Sequence, residues 1–350
     1  MSNRRIGVIA TISGTGGEGG AERFYNGLVA ALNEHVPTER IDVVSDESSF
    51  EAIEETYLRF YDLDMSEYAG VISTKAPAYM VRHPNHVLYL QHTMRVFYDM
   101  FDREFPHPDE TIIKQRALVQ RLDTLALQAP RTRDRFVIGK EVQKRLRHYN
   151  GLDSQVLYQA TTLSGFECRN FEYVFIPGRL HRWKRLDLII NALKYVKSPV
   201  KVLISGEGED GAYFRSLASD DNRITFLGRV SDRELIELYA GALVVPFVPI
   251  REDFGLITLE AFHSGKPVLT CMDSGEPANI VQDGVSGFVC EPVPHVIGEK
   301  LEYLFQNPGI AMRMGQQGRE SVKHITWQKV ANALIKALDI SSNFSLCHRP

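Results

Sequence analysis

The chain has 350 residues, 44% hydrophobic and 24% charged, with a net charge of −4. Such a length exceeds a single core and predicts two domains of roughly 150 residues each. The composition is that of a soluble globular protein and excludes wholesale nucleic-acid binding. Cys168, Cys271, Cys290 and Cys347 show no C-x-x-C spacing, which leaves neither a disulfide nor a zinc framework and points to reduced, cytoplasmic thiols. No apolar run approaches the roughly 18 residues of a membrane span, and the N-terminus does not read as a secretion signal.

Residues 5–12, RIGVIATI, form the first predicted strand, followed by a glycine-rich turn and the amphipathic helix pattern AERFYNGLVAALNEH. The turn contains a G-x-G-x-x-G match at Gly14, Gly16 and Gly19, and Asp46 ends the next strand, which together resemble a dinucleotide fingerprint. Glycine backbone there serves any anionic ligand equally. Further strands follow at IDVVS, YAGVIST, HVLYLQ, RFVIG and SQVLY, and the second half continues with YVFIPG, VKVLISG, RITFLG, ALVVPF, KPVLTC and SGFVC. Strands alternating with helices predict parallel sheets covered on both faces, hence an α/β chain of two Rossmann-like domains. Loss of periodicity over residues 158–173 places the boundary near Ser164, giving domains 1–164 and 165–325. The helix 326–340 is expected to cross back to the first domain, and 341–350 to form a loose tail.

Two constellations carry chemistry. In REDFGLITLEAFHSGKPV, Glu252 precedes a helix expected to start near Phe254, and Glu260 lies eight residues on, about 80° around a helix axis. The amides of Gly255, Leu256 and Ile257 would then face an anion at the helix N-terminus. Carboxylates accept the hydrogen bonds that sugar hydroxyls donate. The same spacing also fits a helix-dipole partner and a solvated face. In PGRLHRWKRLDLIINAL, Gly178 ends a strand, and Arg179 and Lys184 flank a helix entry, as a leaving diphosphate would require; a solvated basic helix start fits equally.

The order of GGAER, PGRLHRWKR, FLGRVSDRELIELYAGALVVPF and EDFGLITLEAFHSGKPVLT resembles the GT-B retaining glycosyltransferases of family 4, over nearly the whole chain. The resemblance implies two Rossmann-like domains facing across a cleft that holds a nucleotide-sugar. It implies that Arg179 and Lys184 hold the diphosphate, Glu260 the ribose and Glu252 the transferred sugar. It places His92, in YLQHTMRVFYD, near sugar and acceptor. It also puts Gly16, Gly17, Gly19, Gly20, Gly178, Val230, Phe254, Gly255 and Leu256 around the donor. The E-D-F-G form at Glu252 leans toward GDP-mannose, although His92-Thr93-Met94-Arg95 lacks the usual proline and UDP-sugars stay open. Asn279 stands where the family has a glutamate, with Glu276 as a neighbouring carboxylate. On this reading the G-x-G-x-x-G match is accidental and Asp46 has no cofactor to bind.

The expected activity is transfer of a hexose to a hydroxyl of a glycan or lipid-linked acceptor in cell-surface polysaccharide synthesis, without cofactor or metal. Asp62 and Asp64 form a D-x-D match read as loop chemistry. Residues 111–150 hold ten Lys or Arg against three acidic residues, a local charge of +7. That surface fits peripheral docking on an anionic membrane, and equally a set of solvated helix faces. The rival readings are an NAD-dependent oxidoreductase built on residues 5–46 and a non-catalytic nucleotide-sugar-binding subunit.

Overall fold

The computed structural model describes residues 5–13 and 20–340; Gly16, Gly17, Gly19 and the expected tail 341–350 lie outside these. The chain divides into two compact units, one taking the chain up to Thr162 and again from Ile325, the other Leu163–His324.

The described residues of the first unit form six parallel strands: β1 Ile6–Ser13, β2 Thr38–Ser45, β3 Gly70–Ser73, β4 His86–Leu90, β5 Asp134–Val137 and β6 Gln155–Val156. Their order is β2-β1-β3-β4-β5-β6. Central β3 and β4 are buried at every position, as expected where helices cover both faces, whereas edge strand β2 fully buries only Val43. The helix Trp327–Ala337 buries Val330, Ala331 and Leu334, and its Trp327 ring meets Phe24 of the helix Gly20–Asn33 edge-on, centroids 5.8 Å apart.

Among the titratable groups this unit buries are Asp123 and His86. The Asp123 carboxylate accepts hydrogen bonds from the hydroxyls of Tyr57 at 2.6 Å and Tyr98 at 2.7 Å. Burial pushes its pKa up to about 6 against the pull of those donors. His86, at the start of β4, sits 2.7 Å from the Ser73 hydroxyl and is held neutral, its pKa pushed down by burial to about 4.

The second unit repeats the architecture with β7 Tyr173–Pro177, β8 Lys201–Ser205, β9 Ile224–Gly228, β10 Ala242–Pro246, β11 Val268–Cys271 and β12 Gly287–Cys290. The order β12-β11-β10-β7-β8-β9 is the dinucleotide-fold order, with β7 as its first strand. β10 and β11 are wholly buried, and edge strand β9 shows graded exposure. Val174, Val202, Ile204, Leu243 and Val244 from the sheet pack with Ile189, Leu193, Ile297 and Leu301 from the covering helices.

Candidate active site

In the second unit the chain runs outward from β7 through β8 and β9, then returns to lay β10, β11 and β12 on the other side. The connections therefore diverge between β7 and β10, and their carboxyl ends open a crevice of the kind where doubly wound sheets bind ligands. Pro177, Gly178, Lys184, Pro246, Phe247 and Val248 line it.

Two of the expected donor residues meet at this crevice. The Lys184 ammonium donates to both oxygens of the Glu252 carboxylate, at 2.8 and 2.7 Å, across 68 residues of sequence. It also lies 5.4 Å from the centre of the Phe247 ring. Both side chains are about a quarter exposed, Lys184 at 30% and Glu252 at 20%, so the pair is neither solvated nor sealed.

Glu252 is placed by its backbone. Its N–H donates to Ser274 O at 2.9 Å, its carbonyl accepts from Glu276 N at 2.8 Å, and an isolated parallel bridge joins it to Gly275. A Cβ on Gly275 would stand 2.4 Å from the Glu252 carbonyl oxygen, and Gly275 has φ 74°, so only glycine lets the two segments approach. The helix starts at Leu256, two residues later than the sequence suggests, behind Gly255 at φ 79°. Glu252 is therefore on extended chain, and the 80° relation to Glu260 does not describe the pair.

Glu260 is on the helix Leu256–His263 and is 5% exposed, its Oε2 accepting the Tyr239 hydroxyl at 2.8 Å. Phe254 is buried beneath the helix entry. At the start of this helix the Thr258 amide donates to the Gly255 carbonyl at 2.9 Å, and the amides of Leu256 and Ile257 lead the helix. Asn279 donates to Glu276 Oε2 at 3.3 Å, and Glu276 is fully buried, so Asn279 holds a carboxylate beside the Glu252 segment.

Arg179 follows Gly178 (φ 125°) at the end of β7 and is 69% exposed; its Nε donates to Glu209 Oε2 at 3.0 Å. A tight turn, Arg182–Lys184, leads into the helix Leu186–Ala192, so Lys184 stands just before the helix entry while Arg179 lies seven residues ahead of it. Val230 lies just past β9, half-buried.

Sequence reasoning missed Arg185. At φ 52°, its guanidinium grips Asp273 through two bonds of 2.8 and 2.6 Å and donates to the carbonyls of Val248 and Pro249. It thereby ties the β10 loop to the β11 loop behind Glu252. Nothing local in WKRLD separates Arg185 from its basic neighbours.

In the first unit, His92 is half-buried just past β4, with Nδ1 3.0 Å from the Thr93 carbonyl. A carbonyl only accepts, so that nitrogen carries a proton. Gly20 is the first residue of its helix. Lys75, just beyond β3 and unmarked by any motif, has its pKa lowered by burial. Asp62 ends the helix Phe50–Tyr61, and Asp64 Oδ1 accepts the Ser66 amide, ordinary turn chemistry. Asp46 likewise accepts the Ser48 amide.

The +7 segment is less available than its count suggests. Arg145 is 2% exposed and paired with Asp99, while Arg116, Arg131 and Arg135 donate to backbone carbonyls. Its helix Glu110–Leu127 nonetheless exposes Ile113, Leu118 and Leu125 together with Lys114 and Arg121.

Comparison with known proteins bears on the same region. Residues 168–321 match the family model described as Glycosyl transferases group 1. That match lies wholly within the second unit. The chain is 36% identical over 217 residues to the alpha-1,3/1,6-mannosyltransferase ALG2 of Homo sapiens, covering 53% of this chain and 51% of that protein. It is 24% identical over 280 residues to the D-inositol 3-phosphate glycosyltransferase of Corynebacterium glutamicum, covering 71% and 65%. The chain thus spans about half the length of the first curated relatives it matches.

Among solved structures, a sucrose-phosphate synthase from Thermosynechococcus elongatus superposes with a TM-score of 0.74 at 16% identity, covering 95% of this chain and 98% of that one. Anabaena HepE, crystallised with UDP and glucose, gives 0.71 at 16% identity over 96% and 99%. At such identity these likenesses show the fold alone. With two six-stranded parallel sheets in one chain, that fold is GT-B.

Proposed function

We propose that this chain is a retaining glycosyltransferase that moves a hexose from a nucleoside-diphosphate sugar to a hydroxyl of a glycan or lipid-linked acceptor. The observation that carries the reading is the Lys184–Glu252 pair at the β7/β10 crevice, before the helix Leu256–His263. An ammonium beside the leading amides of that helix suits a diphosphate, and charge building on the leaving oxygen during bond cleavage strengthens the attraction. A carboxylate on the same ammonium suits the hydroxyls of the attached sugar and the positive character of its anomeric carbon. Arg179 adds an exposed cation at the rim, and the buried Glu260 is assigned to the ribose. His92 is assigned to the sugar and acceptor.

Names of relatives support the class: a mannosyltransferase and an inositol-phosphate glycosyltransferase match by sequence, and HepE was crystallised with UDP-glucose. GDP-mannose is the favoured donor, on Glu252-Asp253-Phe254-Gly255, with UDP-sugars as the competing class. These cations take the place of a metal, so transfer is expected to survive excess EDTA. Calorimetric titration with GDP, UDP and ADP and their hexose esters, followed by transfer assays with the ester that binds, tests the reading. Binding of a nucleoside diphosphate without any transfer of its sugar would reduce the chain to a binding subunit, and binding of none would refute the reading altogether.

A second proposal concerns location. The exposed Leu118 and Leu125, on one face of the helix Glu110–Leu127 with Lys114 and Arg121 on the adjoining stripe, suit shallow insertion into an anionic bilayer surface. Among the described residues no helix is long and apolar enough to cross a membrane. Co-sedimentation with phosphatidylglycerol vesicles, lost in Leu118→Asp/Leu125→Asp, is the expected result; equal sedimentation of both proteins would refute it.

A further inference from the structure

The loop that follows β8, Gly206-Glu207-Gly208-Glu209-Asp210, is fastened along the loop that follows β7. Leu180 N donates to Glu207 O at 3.0 Å, Asp210 N donates to Leu180 O at 3.0 Å, and Arg182 N donates to Asp210 Oδ2 at 2.6 Å. These bonds hold the intervening Glu209 against Arg179, 3.0 Å from its Nε, and set the second Glu209 oxygen 3.4 Å from His181 Nε2. His181 Nδ1 accepts the Trp183 amide, so its Nε2 carries the hydrogen that faces the carboxylate.

With side chains 69% and 46% exposed, the Arg179–Glu209 pair contributes little to folding. Its consequence falls on any anion that comes to Arg179. The backbone fastening keeps the carboxylate at the rim, so a diphosphate reaching this guanidinium must displace or share it and then remain beside a fixed negative charge.

We propose that Glu209 is a release residue: a built-in counter-anion that competes with the nucleoside diphosphate for Arg179 and hastens its departure after transfer. The proposal rests on the diphosphate being held at this crevice. It differs from a structural role for Glu209 in sign, because removing a competitor strengthens binding, whereas removing a support weakens it.

Titrations of GDP and UDP, and of the nucleosides guanosine and uridine, into wild type, Glu209→Gln, Arg179→Met and the double variant test it. Glu209→Gln is expected to tighten the diphosphate about three- to tenfold at low salt, with the gain shrinking as the Debye length shortens. Nucleoside affinity stays unchanged, and the gain vanishes in the Arg179→Met background. Product inhibition of transfer deepens in parallel. Diphosphate affinity that is unaltered or weakened by Glu209→Gln overturns the proposal, as does an equal gain without Arg179. Failure of the wild type to bind either diphosphate overturns the functional reading and this proposal with it, whereas wild-type binding that ignores Glu209→Gln overturns this proposal alone.

Discussion

Replacing Asp123 by Asn is expected to change how the stability of the first unit responds to pH. The folded carboxyl keeps its proton up to about pH 6, against an ordinary value of 3.8. Between those values the folded state holds a proton that the unfolded chain has lost. Stability therefore falls as pH rises through the window, by ~1.4 kcal/mol per pH unit and ~3 kcal/mol in all. His86 acts in the opposite direction. Its folded pKa, about 4, lies below the ordinary 6.5, so the stability it contributes above pH 6.5 is lost as pH falls toward 4. From about pH 4 to 6 the two slopes cancel, and Asp123→Asn exposes the His86 slope alone.

Any fixed cost of placing an amide among the tyrosines is independent of pH, so the comparison rests only on the slope. The chain has two tryptophans, Trp183 and Trp327, and Trp327 lies in the first unit. In a Trp183→Phe background, urea unfolding followed by fluorescence reports that unit. Relative to its parent, the Asn variant should gain ~3 kcal/mol between pH 4 and pH 7. A stability difference that is flat across this range would refute the reasoning that burial outweighs the tyrosine donors.

Arg179→Ala or Lys184→Ala should each lower turnover by on the order of 10² to 10³, comparable to losing one oxyanion donor; near-normal kcat in both would sink their role at the leaving group. Glu260→Ala should weaken free nucleoside diphosphate and intact donor together by about 1.5 to 3 kcal/mol, while Glu252→Ala should spare the free nucleotide and penalise the donor and kcat. Calorimetry with both ligands decides, and equal weakening of the free nucleotide by both variants would contradict the assignment. His92→Ala should reduce transfer far more than nucleotide affinity, and parallel losses in the two assays would mark His92 as merely structural.

The strands were legible because parallel strands covered on both faces must be apolar at successive positions, and runs such as HVLYL and ALVVP carry that requirement locally. The helix after Glu252 was legible to within two residues. Its entry was misjudged because Gly255, in a left-handed conformation, delays the first turn, and the extended chain before it is held by a segment more than twenty residues away. Residue type and the family resemblance brought Arg179, Lys184, Glu252 and Glu260 forward as candidates, since charge and hydrogen-bonding capacity belong to residue type. They could not pair them. Only the tertiary structure sets Lys184 on Glu252, Arg179 on Glu209, Glu260 under Tyr239 and Arg185 on Asp273. The same reason dissolves much of the basic segment 111–150: a count of charges is local, but Arg145 is buried by an aspartate 46 residues away. Hydrophobic patterning is written along the chain because each strand answers to its own burial, whereas an ion pair exists only where strand order brings two distant loops to one edge of a sheet.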